Sequence, residues 1–367
     1  MAMPEPSRAE RYRKFCIKNV LPLGFFVALV VALSWPAPGK AVGTPKVEGY
    51  RVVQTINVVV IFIISGLTLK TDDIKEALSK EGRWGYIYGV VAILGITGCV
   101  GFVAGEIPFD VKEFSYGLAV FSVVPTTLSS GVTLVMNAGG NDALALLLTV
   151  TTNLLGVVTV PFFVKGVVRA GDDAKIDAVE LLVKLIITVL VPLVIGKVIR
   201  ETVAGVKPWV KRFKVRLSLT SSAMLIMVVW QTLSRAQSNL TSVAFEQILS
   251  VIAAGIALHL VYLSINYPVC RYVLKLKRRE FKAVVLMSSQ KTLPVSVVVI
   301  GFLDAVGEEG LMTIPCIVGH MSQLFIDAYI ASRWANDADE TVVVAGAGAG
   351  TGAEVAALKT NGGSATV

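Results

Sequence analysis

Apolar positions along the chain come in long runs broken by short polar stretches. Ten runs stand out: 17–35, 52–69, 84–104, 114–136, 143–164, 179–199, 217–233, 245–269, 283–303 and 311–331. A helix needs roughly 18–20 apolar residues to cross a hydrocarbon core. The pattern therefore predicts an all-α, polytopic membrane protein with ten transmembrane helices. The spans fall within 15–334, and three stretches are expected to lie outside the membrane. They are a polar N-terminal segment, 1–14, a short amphipathic surface helix over 72–80 with Ile74 and Leu78 on one face, and a Gly/Ala/Thr-rich tail, 335–367. The tail has too little to bury and is expected to be disordered.

Composition supports the bilayer reading. Hydrophobic residues make up 54% of the chain and charged residues 16%, against about 25% charged in soluble domains. Mean hydropathy is +0.71. The net charge of +8 comes from basic residues at the ends of the runs, where anionic headgroups lie, so no nucleic-acid partner is needed. Lys and Arg crowd the loops on the N-terminal side, as in 207–216 and 271–282. The positive-inside rule then puts both termini in the cytoplasm. Cys16, Cys99, Cys270 and Cys316 show neither metal nor disulfide spacing. No catalytic motif falls on a span, and "GAGAGTG" lies in the tail without a strand before it. The chain is thus read as a non-enzyme without cofactor or metal centre.

Two runs contain helix breakers among polar residues. "PTTLSSGVTLV" lies in the fourth run and "QKTLPVSVVVI" in the ninth. Aligned on their shared Thr-Leu, they match Thr126 with Lys291, Thr127 with Thr292 and Gly131 with Ser296. "LPLGFF" in the first run echoes "VPLVIG" in the sixth. Two five-span halves follow, about 15–165 and 176–334. Five is odd, so the second half enters the membrane inverted. Unpaired backbone in lipid costs several kcal/mol, so a break at this depth must be buried in protein or line a cavity. If the chain unwinds at Pro125 and Pro294, the two broken helices cross and their ends converge. Helix N-termini favour anions and C-terminal carbonyls favour cations.

The candidate ion and substrate site therefore comprises Thr126, Thr127, Ser129, Ser130, Gly131, Gln290, Lys291 and Thr292, with Thr149, Thr152 and Asn153 from the fifth run. A second polar face is formed by His320, Gln323 and Asp327 at i, i+3 and i+7 on the tenth run, with Gln54 and Asn57 at i, i+3 on the second. Each of these alone also suits an ordinary interhelical hydrogen bond. His259, mid-run among apolar residues, reads as structural.

The run from "VVPTTLSSGVTLVMN" to "LLLTVTTNLLGVVTVPFF", together with "QTINVVVIFIISGLTL", resembles the bile acid:sodium symporter family, in particular its cotransporter 7 branch. The resemblance implies a panel domain, a core domain with two crossed broken helices, and alternating access. It also implies sodium ligands, and here the match is partial. Ser130 matches a ligand serine, but Gly131 stands in place of the adjoining asparagine. Thr149 matches a threonine ligand, while Ala145 stands where a serine is usual. Gln290 is kept, Leu286 replaces a glutamate and Lys291 replaces an asparagine. An ammonium ~4 Å from a sodium ion costs about 4 kcal/mol at an effective dielectric of 20. Lys291 is thus expected to take over part of a bound cation's role, as a fixed charge against helix carbonyls or as a proton carrier. The plainer alternative is a structural lysine paired with an acid such as Asp327.

These readings lead to a transporter of an organic anion (a bile acid, sulfated steroid or small carboxylate) coupled to sodium or protons, working as a monomer or homodimer. The alternative from the same branch is a membrane regulator of calcium homeostasis. The plasma membrane is the first expected address, with Golgi, ER or a plastid envelope as alternatives.

Overall fold

In the computed structural model the structure describes residues 19–69, 82–128, 130–168, 176–303 and 305–360, with side chains to residue 335, plus isolated positions before residue 19. The segment 72–80, Ser129 and most of 1–14 lie outside the described residues. The chain is helical apart from a two-residue hairpin. Its first helices are α1 (Val20–Ser34) and α2 (Pro36–Gly43), which meet at 100°. Strands β1 (Lys46–Val47) and β2 (Tyr50–Arg51) follow, paired antiparallel with Lys46 opposite Arg51. Glu48 and Gly49, both at positive φ, make the turn between them. This hairpin delivers Arg51 to the start of α3 (Val52–Thr68).

Next come α4 (Arg83–Ala104), with a π-turn over Ala92–Ile96, and the short α5 (Lys112–Val123) and α6 (Ser130–Asn137). The helix α7 (Asp142–Val167) starts where Asn141 accepts the N–H of Leu144. Asp177 likewise caps α8 (Ala178–Thr202) by accepting from Val179 and Glu180. The chain continues through α9 (Val206–Arg235), α10 (Phe245–Val273), α11 (Arg278–Ser289), α12 (Leu293–Ile300) and α13 (Glu309–Thr360).

Among the described residues, seven helices are long and apolar enough to cross a membrane, or eight if α1 and α2 count as one bent span. Ten were expected. The difference has a local cause. The second run makes a helix of 17 residues, and the fourth is split by Pro125 into two helices too short to span alone. The backbone of α13 also runs on as helix to Thr360, through the stretch expected to be a disordered tail.

The helices α1, α3, α8 and α9 pack on one another, and α4, α5, α7, α10, α11 and α13 form a second group. Within the first group α3 and α8 touch backbone to backbone. A Cβ on Gly66 would strike the Leu193 carbonyl, and one on Gly196 would strike that of Ile63. Small residues allow such close approach between membrane helices, where packing drives association. A cluster of buried residues including Leu144, Leu148, Val284 and Leu286 fills the second group behind the two breaks.

Candidate ion and substrate site

Both expected breaks are present. The helix α5 ends at Val124, which turns to extended backbone at ψ 157°, and α6 begins at Ser130. The helix α11 ends at Gln290 (φ −95°, ψ 150°), and α12 begins after Thr292 (φ −90°, ψ 119°). Pro125 lies in the first break. Pro294 lies at the start of α12 rather than in the second break, a position where its missing N–H costs nothing. The breaks touch: the Thr292 N–H donates to the Pro125 carbonyl at 2.9 Å.

Burial at this depth demands that exposed backbone be paired, and the polar residues do this. Thr126 donates to the Met287 carbonyl at 2.7 Å. Asn153 donates to the carbonyls of Thr126 and Thr149, and Thr149 donates to those of Ala145 and, at 3.4 Å, Thr127. Gln323 holds the second break from both sides. Its carbonyl oxygen accepts the Lys291 N–H at 2.9 Å and its amide donates to the Lys291 carbonyl at 2.7 Å. The His320 ring lies 2.9 Å from the Gln323 amide.

Lys291 is fully buried. Its ammonium donates to the Val124 carbonyl at 3.0 Å and to the Ile93 carbonyl at 2.8 Å, and lies 5.7 Å from the Tyr262 ring. The first carbonyl belongs to the C-terminal end of α5, the second to the π-turn of α4. Both are places where a helix leaves carbonyls for an outside donor. The expected alternative, a pair with Asp327, is not formed. Asp327 instead faces His259 at 2.9 Å and accepts from Gln290 at 2.6 Å.

Thr127 completes a chain across the crossing. Its hydroxyl accepts the Gly131 N–H at 2.9 Å and donates to Gln290 Oε1 at 2.7 Å. This explains the glycine at position 131. A Cβ there would lie 2.7 Å from Gln290 Oε1 and would also strike the Thr127 hydroxyl. The asparagine of the resembled pattern has no room.

The C-terminal ends of α5 and α11 are thus occupied by the Lys291 ammonium, the Thr126 hydroxyl and the His259 ring, which meets the Ser289 carbonyl at 3.0 Å. The N-terminal ends of α6, whose Gly131 N–H is taken by Thr127, and of α12, where Pro294 has no N–H, both border a cavity of about 70 Å³. Thr127, Ser130, Thr292, Pro294 and His320 line one wall, and Ser65, Ser218, Ser221 and Ser222 of α3 and α9 the other. A smaller space of about 50 Å³, sharing Ser65 and Leu128, reaches Thr149 and Asn153. Two buried oxygens of this region, Asn153 Oδ1 and Thr292 Oγ1, make no hydrogen bond.

Two candidates are not brought in. Thr152 donates to the Leu148 carbonyl of its own helix. Asn57 is buried on α3 with its amide nitrogen unpaired. Gln54 belongs to a different cluster, which the sequence reading missed. There Glu309 accepts from Arg235 at 2.7 Å and from Gln54 at 3.0 Å and pairs with Arg51 at 2.8 Å. The group joins α3 and α9 to the start of α13. Its member on α3, Gln54, lies eleven residues along the helix from Ser65, or roughly 16 Å at 1.5 Å per residue.

A helical membrane protein whose two interrupted helices hydrogen-bond to each other beside a hydroxyl-lined cavity has the build of a secondary transporter. The sequence model of the SBF-like CPA transporter family matches residues 19–336, and the chain belongs to that family. It is a transporter family of the bile acid:sodium symporter group, not a family of enzymes. Similar proteins include the probable sodium/metabolite cotransporter BASS4, chloroplastic, of Oryza sativa subsp. japonica. It is 36% identical over 330 residues, which are 87% of this chain and 76% of the relative. The Arabidopsis thaliana protein of that name is 39% identical over 288 residues, 77% of this chain and 66% of the relative. Sodium/bile acid cotransporter 7 of Rattus norvegicus is 24% identical over 321 residues, 85% and 91% of the two chains.

Proposed function

We propose that this protein is a secondary active transporter that moves an organic anion by alternating access. The observation that carries the reading is the cavity at the crossing. The positive ends of two half-helices border it, serine and threonine hydroxyls line it, and no carboxylate is among its lining residues. Backbone N–H groups at such ends bind carboxylates, sulfates and phosphates. The space, about 70 Å³, is well below the 300–1,000 Å³ of a typical ligand pocket. A bile acid, steroid sulfate or small carboxylate would therefore enter fully only when the wall of α3 and α9 moves away from the crossing.

Sodium is the coupling ion we favour, because the relatives are named as sodium cotransporters. The unpaired oxygens of Asn153 and Thr292 are candidate ligands for it. In this reading Lys291 is a fixed cation for the α5 and α4 carbonyls, so sodium takes other positions. We also propose ten crossings in two inverted halves, counting the bent pair α1–α2, α3 and the broken pair α5–α6 as spans, with both termini cytoplasmic. The relatives' names support a plastid envelope as the first address to test. Those names are of cotransporters and give no support to a calcium regulator.

The test is uptake by purified protein in liposomes. Labelled taurocholate, a steroid sulfate and pyruvate are offered under an imposed sodium or proton gradient. At least one should accumulate over protein-free liposomes. No accumulation of any of the three under either gradient would remove the transport reading.

A further inference from the structure

We infer that Arg51, Gln54, Thr232 and Arg235 form a second anion-binding site, suited to the carboxylate or sulfate of an organic anion, and that Glu309 fills it while the two helix groups are closed on each other. The donors carry the argument. Glu309 Oε1 accepts from Gln54 at 3.0 Å and from the Thr232 hydroxyl at 3.4 Å. Glu309 Oε2 accepts from Arg235 at 2.7 Å and lies 2.8 Å from Arg51 Nε. Both oxygens of the carboxylate are thus held by side chains that include two guanidiniums, a setting made for an oxyanion. These donors come from α3, its N-cap and α9. The carboxylate comes from the other helix group, on the first residue of α13.

The donors do not depend on Glu309 for their places. Arg235 also donates to the Gly43 carbonyl at 3.0 Å and to Gln54 Oε1 at 3.2 Å. Gly43 ends α2, which packs on α9, so these bonds stay within one group. When α13 draws away, a preformed site for a carboxylate is left on α3 and α9.

Position links this site to the cavity at the crossing. Arg51, Gln54, Val58, Ile61 and Ser65 succeed one another at steps of three and four residues, so they share one face of α3. A crevice of about 20 Å³ between that face and the end of α12 is lined by Arg51, Gln54, Thr55, Thr188, Val298 and Phe302. At the other end of the face, Ile61 and Ser65 border the cavity of about 70 Å³. The crevice has room for a water and not for an organic anion. Close by, the start of α13 is pressed on the end of α9, where a Cβ on Gly310 would strike that of Ala236. An organic anion passes along α3 only if α12 and α13 move off this face, and that movement takes Glu309 out of the arginine site. The substrate's own carboxylate or sulfate then replaces it, so the path has an oxyanion site at each end. This exchange rests on the transport reading above, whereas the anion site does not.

The experiment has two arms. In the first, the carboxylate is removed and offered back. Glu309→Ala protein in detergent is heated in sodium acetate or in sodium chloride at equal ionic strength. Acetate should raise its unfolding temperature by about 2 °C or more beyond any shift of wild-type protein, and adding Arg235→Gln should abolish that excess. An equal shift in all three proteins would overturn the inference. The second arm keeps Glu309 and decides the matter if Glu309→Ala does not fold. A cysteine placed at Thr55 is alkylated with N-ethylmaleimide in acetate, pyruvate or chloride. Anions that compete with Glu309 shift the crevice toward its open form, so acetate and pyruvate should speed the reaction about twofold or more. A rate equal to that in chloride would overturn the inference. If acetate acts as expected and taurocholate, a steroid sulfate and pyruvate all fail to enter liposomes, the anion site stands and the transport reading fails. If a probe is taken up and acetate has no specific effect, the inference falls and the transport reading stands.

Discussion

The backbone N–H of Thr292 donates to the carbonyl of Pro125 at 2.9 Å. Residues 167 positions apart in sequence thus share one main-chain hydrogen bond, made possible because both helices are interrupted at the same depth. Each break satisfies part of the other, and side chains from α7, α10 and α13 supply the remainder.

Lys291→Met removes the ammonium that the Val124 carbonyl accepts from, while the Ile93 carbonyl keeps the Thr97 hydroxyl. A buried acceptor left unmatched costs about 1–3 kcal/mol. The variant should unfold at lower temperature in detergent and lose taurocholate uptake. Wild-type uptake together with a wild-type unfolding temperature would show that the ammonium has no part in the crossing.

Gly131→Asn should not restore a lost ion ligand. Its Cβ would displace the Thr127 hydroxyl and Gln290, and overpacking of this kind costs about 1–3 kcal/mol. The expected outcome is a less stable protein whose sodium affinity, read by isotope binding, does not rise.

Glu309→Gln leaves the Arg51 and Arg235 guanidiniums facing a neutral amide in a nearly closed site. Removing one partner of a buried charge group costs roughly 3–5 kcal/mol. The group ties α13 to α3 and α9, so alkylation of a cysteine placed at Thr55 should speed up in the variant. An unchanged rate would mean that the cluster does not hold α13 against α3 and α9.

Much of this was legible in the chain. Hydropathy gave the bilayer and the helices, and Pro125 with its threonines located the first break to within a residue. Counting runs gave ten spans where seven or eight of the described helices are long and apolar enough, because hydropathy does not register that a break leaves two short pieces. His259 was read as structural, but its partner Asp327 lies 68 residues away, so the run alone did not reveal the pairing. Glu309, Arg51 and Arg235 were hidden for another reason. Each sits at the end of a run, where charge is ordinary, and only folding reveals that three such ends converge. Lys291 was the opposite case: a charge so misplaced in the sequence that it had to matter, though its partners proved to be carbonyls and not an acid.

The close approach of α3 and α8 bears on how the molecule can move. At Gly66 the main chain of α3 meets the Leu193 carbonyl, and at Gly196 that of α8 meets the Ile63 carbonyl. Two helices seated main chain to main chain at two neighbouring points resist sliding past each other, so Ser65 on the cavity wall is expected to travel with α8.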